Sequence, residues 1–314
     1  VTAWDRARHL MRLAPFEDHF AGRPYVELVL RWYDTPDGEA RRFETGDAQV
    51  SARGVAAFAG GRPAYKADDV EGPAALLVYV GFGQAHARIT ADRAFRRALD
   101  LAIARGGLEA IGTGERVVPT RVPVPVEAGG TPIDGAARAG DLAAAKAQLA
   151  DAAKRVPALA ADKLAQLKLE ILVEDTRPDD RELGERVVHA LDRLGIAATL
   201  TALPAQVLRE RMARGQGDLW IGQIVSPVDV ASLWWGAAFA AGNDDWPLAS
   251  LAAGMLDPAA AARAFAEREP IVPLMFRAVR LWHRTDVRGV AFDASGRPGY
   301  ADMFLFGAPQ RARP

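Results

Sequence analysis

The sequence predicts an α/β fold built on a mainly parallel sheet, and three observations carry that reading. Between residues 167 and 225 the apolar pattern switches back and forth between a period of two and a helical period, which reads as a β-α-β-α-β run with helices over the sheet faces. Ala74–Phe82 is an apolar run of strand length, as expected of a strand buried on both faces. Phe95, Ala98, Leu99, Ala102 and Ile103 recur at i, i+3, i+4, i+7 and i+8, which is one face of an amphipathic helix.

Taken in chain order, Val26–Trp32 is a strand candidate, rich in β-branched and aromatic residues after a Gly22-Arg23-Pro24 turn. A short helix around Glu39–Glu44 is closed by Gly46. The helix carrying Phe95 is capped by Asp92 and ended by Gly106-Gly107. The proline-rich stretch from Pro119 to Pro132 reads as an ordered loop, and Asp141 opens a second helix. Leu167–Val173 alternates with Lys168 and Glu170. Leu183, Val187, Val188, Leu191 and Leu194 make a helical face that Gly195 stops. Ile196–Leu203 is the next strand, Pro204 starts a helix, and Leu219–Val225 is the third strand. Toward the end, Ile271–Leu274 and Val279–Trp282 read as strands.

The bulk numbers bound the function. The 314 residues suffice for two domains, half are hydrophobic and a quarter charged, and the formal charge is −1. No global field favours nucleic acid or an anionic membrane, and the arginines 209, 211 and 214 read as a solvated helix face. Without cysteine there is no disulfide, thiolate metal site or cysteine nucleophile. No apolar run is long enough to span a membrane. His9, His19, His86, His189 and His283 lack the spacing of a helical zinc site. Gly81-Phe82-Gly83 and Gly112-Thr113-Gly114 read as turns, since neither completes a phosphate or dinucleotide loop. No nucleophile elbow is present. The expectation is a protein without catalytic residues, metal or cofactor. Trp234 and Trp235 are adjacent, so at least one ring is expected to leave the core and offer a stacking wall.

Several segments, in order, resemble one family. Asp92–Arg105 is similar to a "D-x-x-V-R-x-A-L-x-x-A-I-D-R" signature, with Phe95 for the Val and Ala104 for the last Asp. Phe20–Tyr25 resembles "W-x-G-x-P-Y", with Phe20 for the Trp, and Arg42–Ala48 resembles "L-x-x-G-E-V-D". Asp141–Ala153, Leu191–Ala197 and Ile271–Leu274 resemble three further elements. The chain thus resembles the family 5 extracellular solute-binding proteins, which include the dipeptide- and oligopeptide-binding proteins of ABC importers.

The resemblance implies a two-lobed, type II periplasmic-binding-protein-like fold with discontinuous lobes. Residues 1–82 and 275–314 would form lobe I and residues 83–274 lobe II, with crossings near Val80–Gln84 and Met275–Val279. The chain begins partway into the family pattern, so an amino-terminal part and an accessory domain are expected to be missing. It also implies a periplasmic or extracytoplasmic location, a peptide-like or other small solute, and an ABC transporter permease as partner. The alternative on the same fold is a ligand-sensing domain of a regulator or receptor. The candidate ligand-binding residues are Phe82, Gln223, Ser226, Asp229, Trp234 and Trp235. Peptide-binding relatives place an Asp four residues before a Pro to neutralise the α-ammonium. Gln223 stands there, before Pro227, and Ser226 replaces a second acid. The resemblance therefore implies a solute without a free amino terminus, unless Asp229 supplies the charge.

Overall fold

A computed structural model of the chain describes residues 1–18, 24–32, 36–52, 54–58, 61–64, 66–111, 114–225, 230–246 and 257–306. Two compact units divide it: Val1–Ala75 with Gly112–Arg116 and Ala278–Pro314, and Leu76–Ile111 with Val117–Arg277. The divide falls before Leu76–Phe82, seven residues earlier than the sequence reading put it. That segment pairs along its whole length with Leu219–Val225, and strand pairing binds it to the second unit.

In the first unit, β1 (Ala3–Asp5), β2 (Leu10–Leu13) and β3 (Leu28–Arg31) form an antiparallel sheet. Helix α1 (Pro36–Thr45) buries Phe43, whose ring meets Phe58 edge-on at 5.7 Å. Gly46 follows α1 with φ +84°, a left-handed stop that glycine adopts without strain. A second antiparallel sheet orders β4 (Val50–Ser51), β12 (Arg280–Arg284) and β5 (Ala67–Glu71). Strands β13 (Val287–Arg288) and β14 (Phe304–Leu305) pair nearby.

The second unit is a six-stranded sheet with helices over it. Its strands are β6 (Leu76–Phe82), β7 (Val117–Pro119), β8 (Lys168–Glu174), β9 (Ala197–Leu203), β10 (Leu219–Val225) and β11 (Val272–Arg277), in the order β7-β11-β6-β10-β8-β9. Its helices are α2 (Ala87–Thr90), α3 (Arg93–Ala102), α4 (Gly135–Ala139), α5 (Leu142–Ala153), α6 (Pro178–Arg193), α7 (Ala205–Ala213), α8 (Ala231–Ala241) and α9 (Pro258–Arg268). The β8-α6-β9-α7-β10 run is parallel, as the alternating periods predict. The rest is not: β6 inserts antiparallel between β10 and β11, and β7 pairs antiparallel on β11. The sheet is mixed, because β6 and β11 enter it without a crossover helix of their own.

Two local differences have physical causes. Asp92 caps α3 as expected, accepting from the Ala94 and Phe95 amides, but α3 stops at Ala102 rather than at Gly106. Ile103 turns to an extended conformation, and Arg105 turns wholly inside. Gly81 is not in a turn but within β6, opposite Trp220, where a Cβ would stand 2.2 Å from the indole Nε1. Tyr79 likewise faces Gly222, so each large ring lies over a glycine on the neighbouring strand.

Candidate functional site

The period of two puts Leu219, Ile221 and Gln223 on one face of β10. Leu219 and Ile221 lie in the main core with Leu183 and Val187 of α6. Gln223 continues that face to the level of the first turn of α6. That turn carries Asp179 and Asp180, where the helix dipole favours negative charge. Strand β8 ends there at Glu174 and turns through Thr176 and Arg177 into α6. Arg277 closes the row: it stands opposite Leu76, and Leu76 stands opposite Val225. One sheet edge, at the carboxyl ends of the parallel strands, therefore gathers Glu174, Arg177, Asp179, Asp180, Gln223 and Arg277.

These groups are joined. Gln223 Nε2 donates to Asp180 Oδ1 at 3.3 Å. Arg177 lies 3.1 Å from Glu174 and 3.5 Å from Asp180 Oδ2. Arg277 pairs with Asp179 at 2.9 Å, and Thr176 Oγ1 donates to Glu174 at 2.7 Å. The Asp180 side chain is wholly buried, and its Oδ2 has no hydrogen-bond partner. Burial pushes its carboxyl up to about 6, with Glu174 adding to the rise and Arg177 opposing it. Three carboxylates face two guanidiniums. The Arg177 side chain stays 41% exposed, so it has donors to offer a bound molecule. With Nε2 committed to Asp180, Gln223 keeps its carbonyl oxygen as the acceptor for such a molecule.

Of the residues the sequence nominated, Gln223 alone is placed in this cluster among those described. Ser226 and Asp229 lie outside the described residues. Phe82 ends β6 opposite Leu219, four residues along the strand pair from Gln223 and so about 13 Å away. Its ring is buried in the core under the Arg96 guanidinium at 4.7 Å. Trp234 and Trp235 correct the expectation that one ring leaves the core, since both are buried. Helix α8 is apolar nearly all round and is covered on two sides. Trp234 meets Phe276 edge-on at 5.3 Å, and Trp235 meets Phe265 at 5.4 Å.

The sequence reading missed Glu174, Arg177, Asp179, Asp180 and Arg277. A signal for three of them existed. Arg177-Pro178-Asp179-Asp180 follows a predicted parallel strand and opens a predicted helix, and open α/β sheets bind ligands at such carboxyl ends. Arg277 carried no signal, because its neighbours are set by pairing across the sheet. Among the described residues no group of His, Asp or Glu side chains is placed to hold a metal ion, and no helix is long and apolar enough to cross a membrane.

Comparison with known proteins follows the same lines. The sequence model described as bacterial extracellular solute-binding proteins, family 5 middle, matches residues 1–244. Among curated proteins there is no match. Among solved structures, the periplasmic binding protein DppA from Helicobacter pylori, in complex with the peptide STSA, is 15% identical with a TM-score of 0.72, over 96% of this chain and 61% of that one. The dipeptide binding protein from Pseudoalteromonas sp. SM9913, in complex with Met-Leu, is 15% identical with a TM-score of 0.71, over 95% and 62%. AgaA from A. tumefaciens R10, in complex with agropinic acid, is 14% identical with a TM-score of 0.67, over 97% and 66%. At these identities the likeness is one of fold, that of the periplasmic binding proteins. The chain spans less than two thirds of the length of each of these solved relatives.

Proposed function

Because the chain belongs to the bacterial extracellular solute-binding proteins, family 5, we propose that it binds a small solute outside the cytoplasm and delivers it to an ABC-type membrane importer. The relatives of similar fold are binding proteins for peptides and for agropinic acid, which supports binding rather than turnover. In this reading the solute is enclosed between two lobes, residues 1–82 with 275–314 and residues 83–274.

The observation that carries the reading is the carboxyl edge of the six-stranded sheet. Glu174, Arg177, Asp180 and Gln223 come together there, and that edge is where open α/β sheets hold their ligands. Gln223 contributes a neutral acceptor, worth about 1 kcal/mol net to an N–H or O–H donor. An ammonium buried without a counter-charge costs several kcal/mol. Asp180 lies wholly buried behind Gln223, with Arg177 beside it. In this reading the solute is neutral, anionic or otherwise atypical and lacks a required free amino terminus, unless Asp180, 3.3 Å from Gln223, or Asp229 supplies the counter-charge.

Isothermal titration with a panel of dipeptides and their N-acetylated counterparts tests the solute class. The expected result is that acetylation leaves affinity unchanged or improves it. Micromolar binding abolished by acetylation would overturn the assignment. Asp180→Asn and Asp229→Asn would then show which carboxylate receives the ammonium.

A further inference from the structure

The second unit contains another cavity, of about 460 Å³, within the range of about 300–1,000 Å³ typical of small-molecule sites. It opens beside Ile271–Pro273, at the start of β11, whereas Arg277 of the sheet-edge cluster ends the same strand about 13 Å further on. Its walls include Trp235, Phe265, Val124 and Ile271, and its charged lining is Arg97, Asp100, Arg121 and Glu269.

The charges are unequal. The Asp100 carboxylate receives three guanidiniums: Arg105 at 2.6 Å, Arg121 at 2.9 Å and Arg97 at 3.2 Å. Arg97 also holds Glu269 at 2.9 Å. Three cations thus face two carboxylates, and burial pushes Glu269 up to about 7, which thins the negative side further near neutrality. Arg93 and Arg96 donate to the main-chain carbonyls of Ala266 and Glu269, two residues that line the cavity. No further carboxylate lines the cavity among the described residues. Arg105 is spent on Thr120 and Pro273 carbonyls and Asp100. Arg97 and Arg121 are partly exposed, at 42% and 24%, and each guanidinium has five donors, more than the contacts they make.

We infer that this cavity is a second ligand site, which takes a small organic carboxylate with an apolar or aromatic body. The carboxylate pairs with Arg97 and Arg121, and the body lies against Trp235 and Phe265. The geometry suits it: guanidiniums give planar two-point recognition of a carboxylate, and aromatic walls bury an apolar tail. The site is independent of the proposed solute site, since no residue is shared.

Titration of the purified chain with 3-phenylpropanoate tests this, with 3-phenylpropanamide and acetate as controls. The carboxylate should bind one to one, and the amide and acetate each about tenfold or more weaker, as expected when a charged hydrogen bond or the apolar contact is lost. Arg121→Gln should weaken 3-phenylpropanoate binding to the same degree. Ala262→Trp, at an exposed position that lines the cavity, should block it without touching the core. Gln223→Ala should leave it unchanged. No binding of 3-phenylpropanoate at millimolar concentration, equal binding of the amide, or binding indifferent to both cavity variants would each overturn the assignment. Loss of binding in Gln223→Ala alone would place the probe in the sheet-edge site and overturn it as well.

Discussion

Two clusters of charge lie in the same α/β unit, and they differ in sign and in what holds them. At the carboxyl edge of the sheet, three carboxylates outnumber two guanidiniums, and Arg177 reaches Glu174 and Asp180 from a half-exposed position. Around Asp100, three guanidiniums outnumber two carboxylates. At the centre Arg105 is fully buried and fixed by the carbonyls of Thr120, Pro273 and Asp100. The first cluster consists of side chains meeting at the ends of strands, where helix α6 begins. The second is anchored to main chain and ties the turn after α3 to β11. A buried arginine tied to main chain carries stability, whereas half-exposed side chains such as Arg97 and Arg177 can be turned by a ligand.

The largest break in this contrast is expected from Arg105→Ala. It leaves Asp100 with fewer partners and takes the buried side-chain donor from the Thr120 and Pro273 carbonyls, while the Asp100 carbonyl keeps Arg121, so the unit should lose about 3–5 kcal/mol. Urea denaturation followed by tryptophan fluorescence reads this. A loss no larger than that of Arg177→Ala would erase the distinction.

A smaller effect, of the opposite sign, is expected at Asp180. Its folded value of about 6 stands above the ordinary 3.8, so between those values the folded state holds a proton the unfolded state has released. Stability contributed by this group is present at low pH and lost as pH rises from about 4 to about 6, on the order of 3 kcal/mol at most. Asp180→Asn keeps an oxygen for Gln223 and should flatten that slope, leaving the variant more stable than wild type at neutral pH and equal to it near pH 4. A slope unchanged in the variant would show that Asp180 is not the group titrating. Glu269, raised from 4.5 to about 7, predicts the same sign in the other cluster, and Glu269→Gln should flatten the part of the curve between those values.

The smallest effect sharpens the comparison from outside both clusters. Asp92 caps α3 and also binds Arg155 at 2.8 Å. Asp92→Ala should cost about 1–2 kcal/mol without altering either the pH slope or the binding of 3-phenylpropanoate. A change in that binding would mean that α3 as a whole, and not its arginines, shapes the cavity.

What the sequence made legible follows the range of the interactions. The β8-α6-β9-α7-β10 run was readable because each element announces itself within its own residues, by period, cap and stop. The antiparallel insertion of β6 was not, since the run Ala74–Phe82 reports burial on both faces and says nothing of direction or partner. Gln223 was nominated through a motif position. Asp180, its hydrogen-bond partner, was not, because the two are 43 residues apart and meet only through the register of β8, β10 and α6. Trp234 and Trp235 misled for a related reason: adjacency fixes the angle between two rings on a helix, but not how many sides of the helix are covered.

The pairing of β6 with β11 has a mechanical side. Leu76 and Arg277 stand directly opposite each other, and they are the residues at which the chain enters the second unit and finally leaves it. A pull applied to the flanking segments therefore reaches both strands at the same end. Once β5 and β12, which pair from Glu71 opposite Arg280 to Ala67 opposite Arg284, have parted, the load falls on the terminal rung of the β6–β11 ladder, and its strands peel apart one rung after another instead of sliding with every rung strained at once. The unit is accordingly weak to tension along this direction, whatever its resistance to heat or urea.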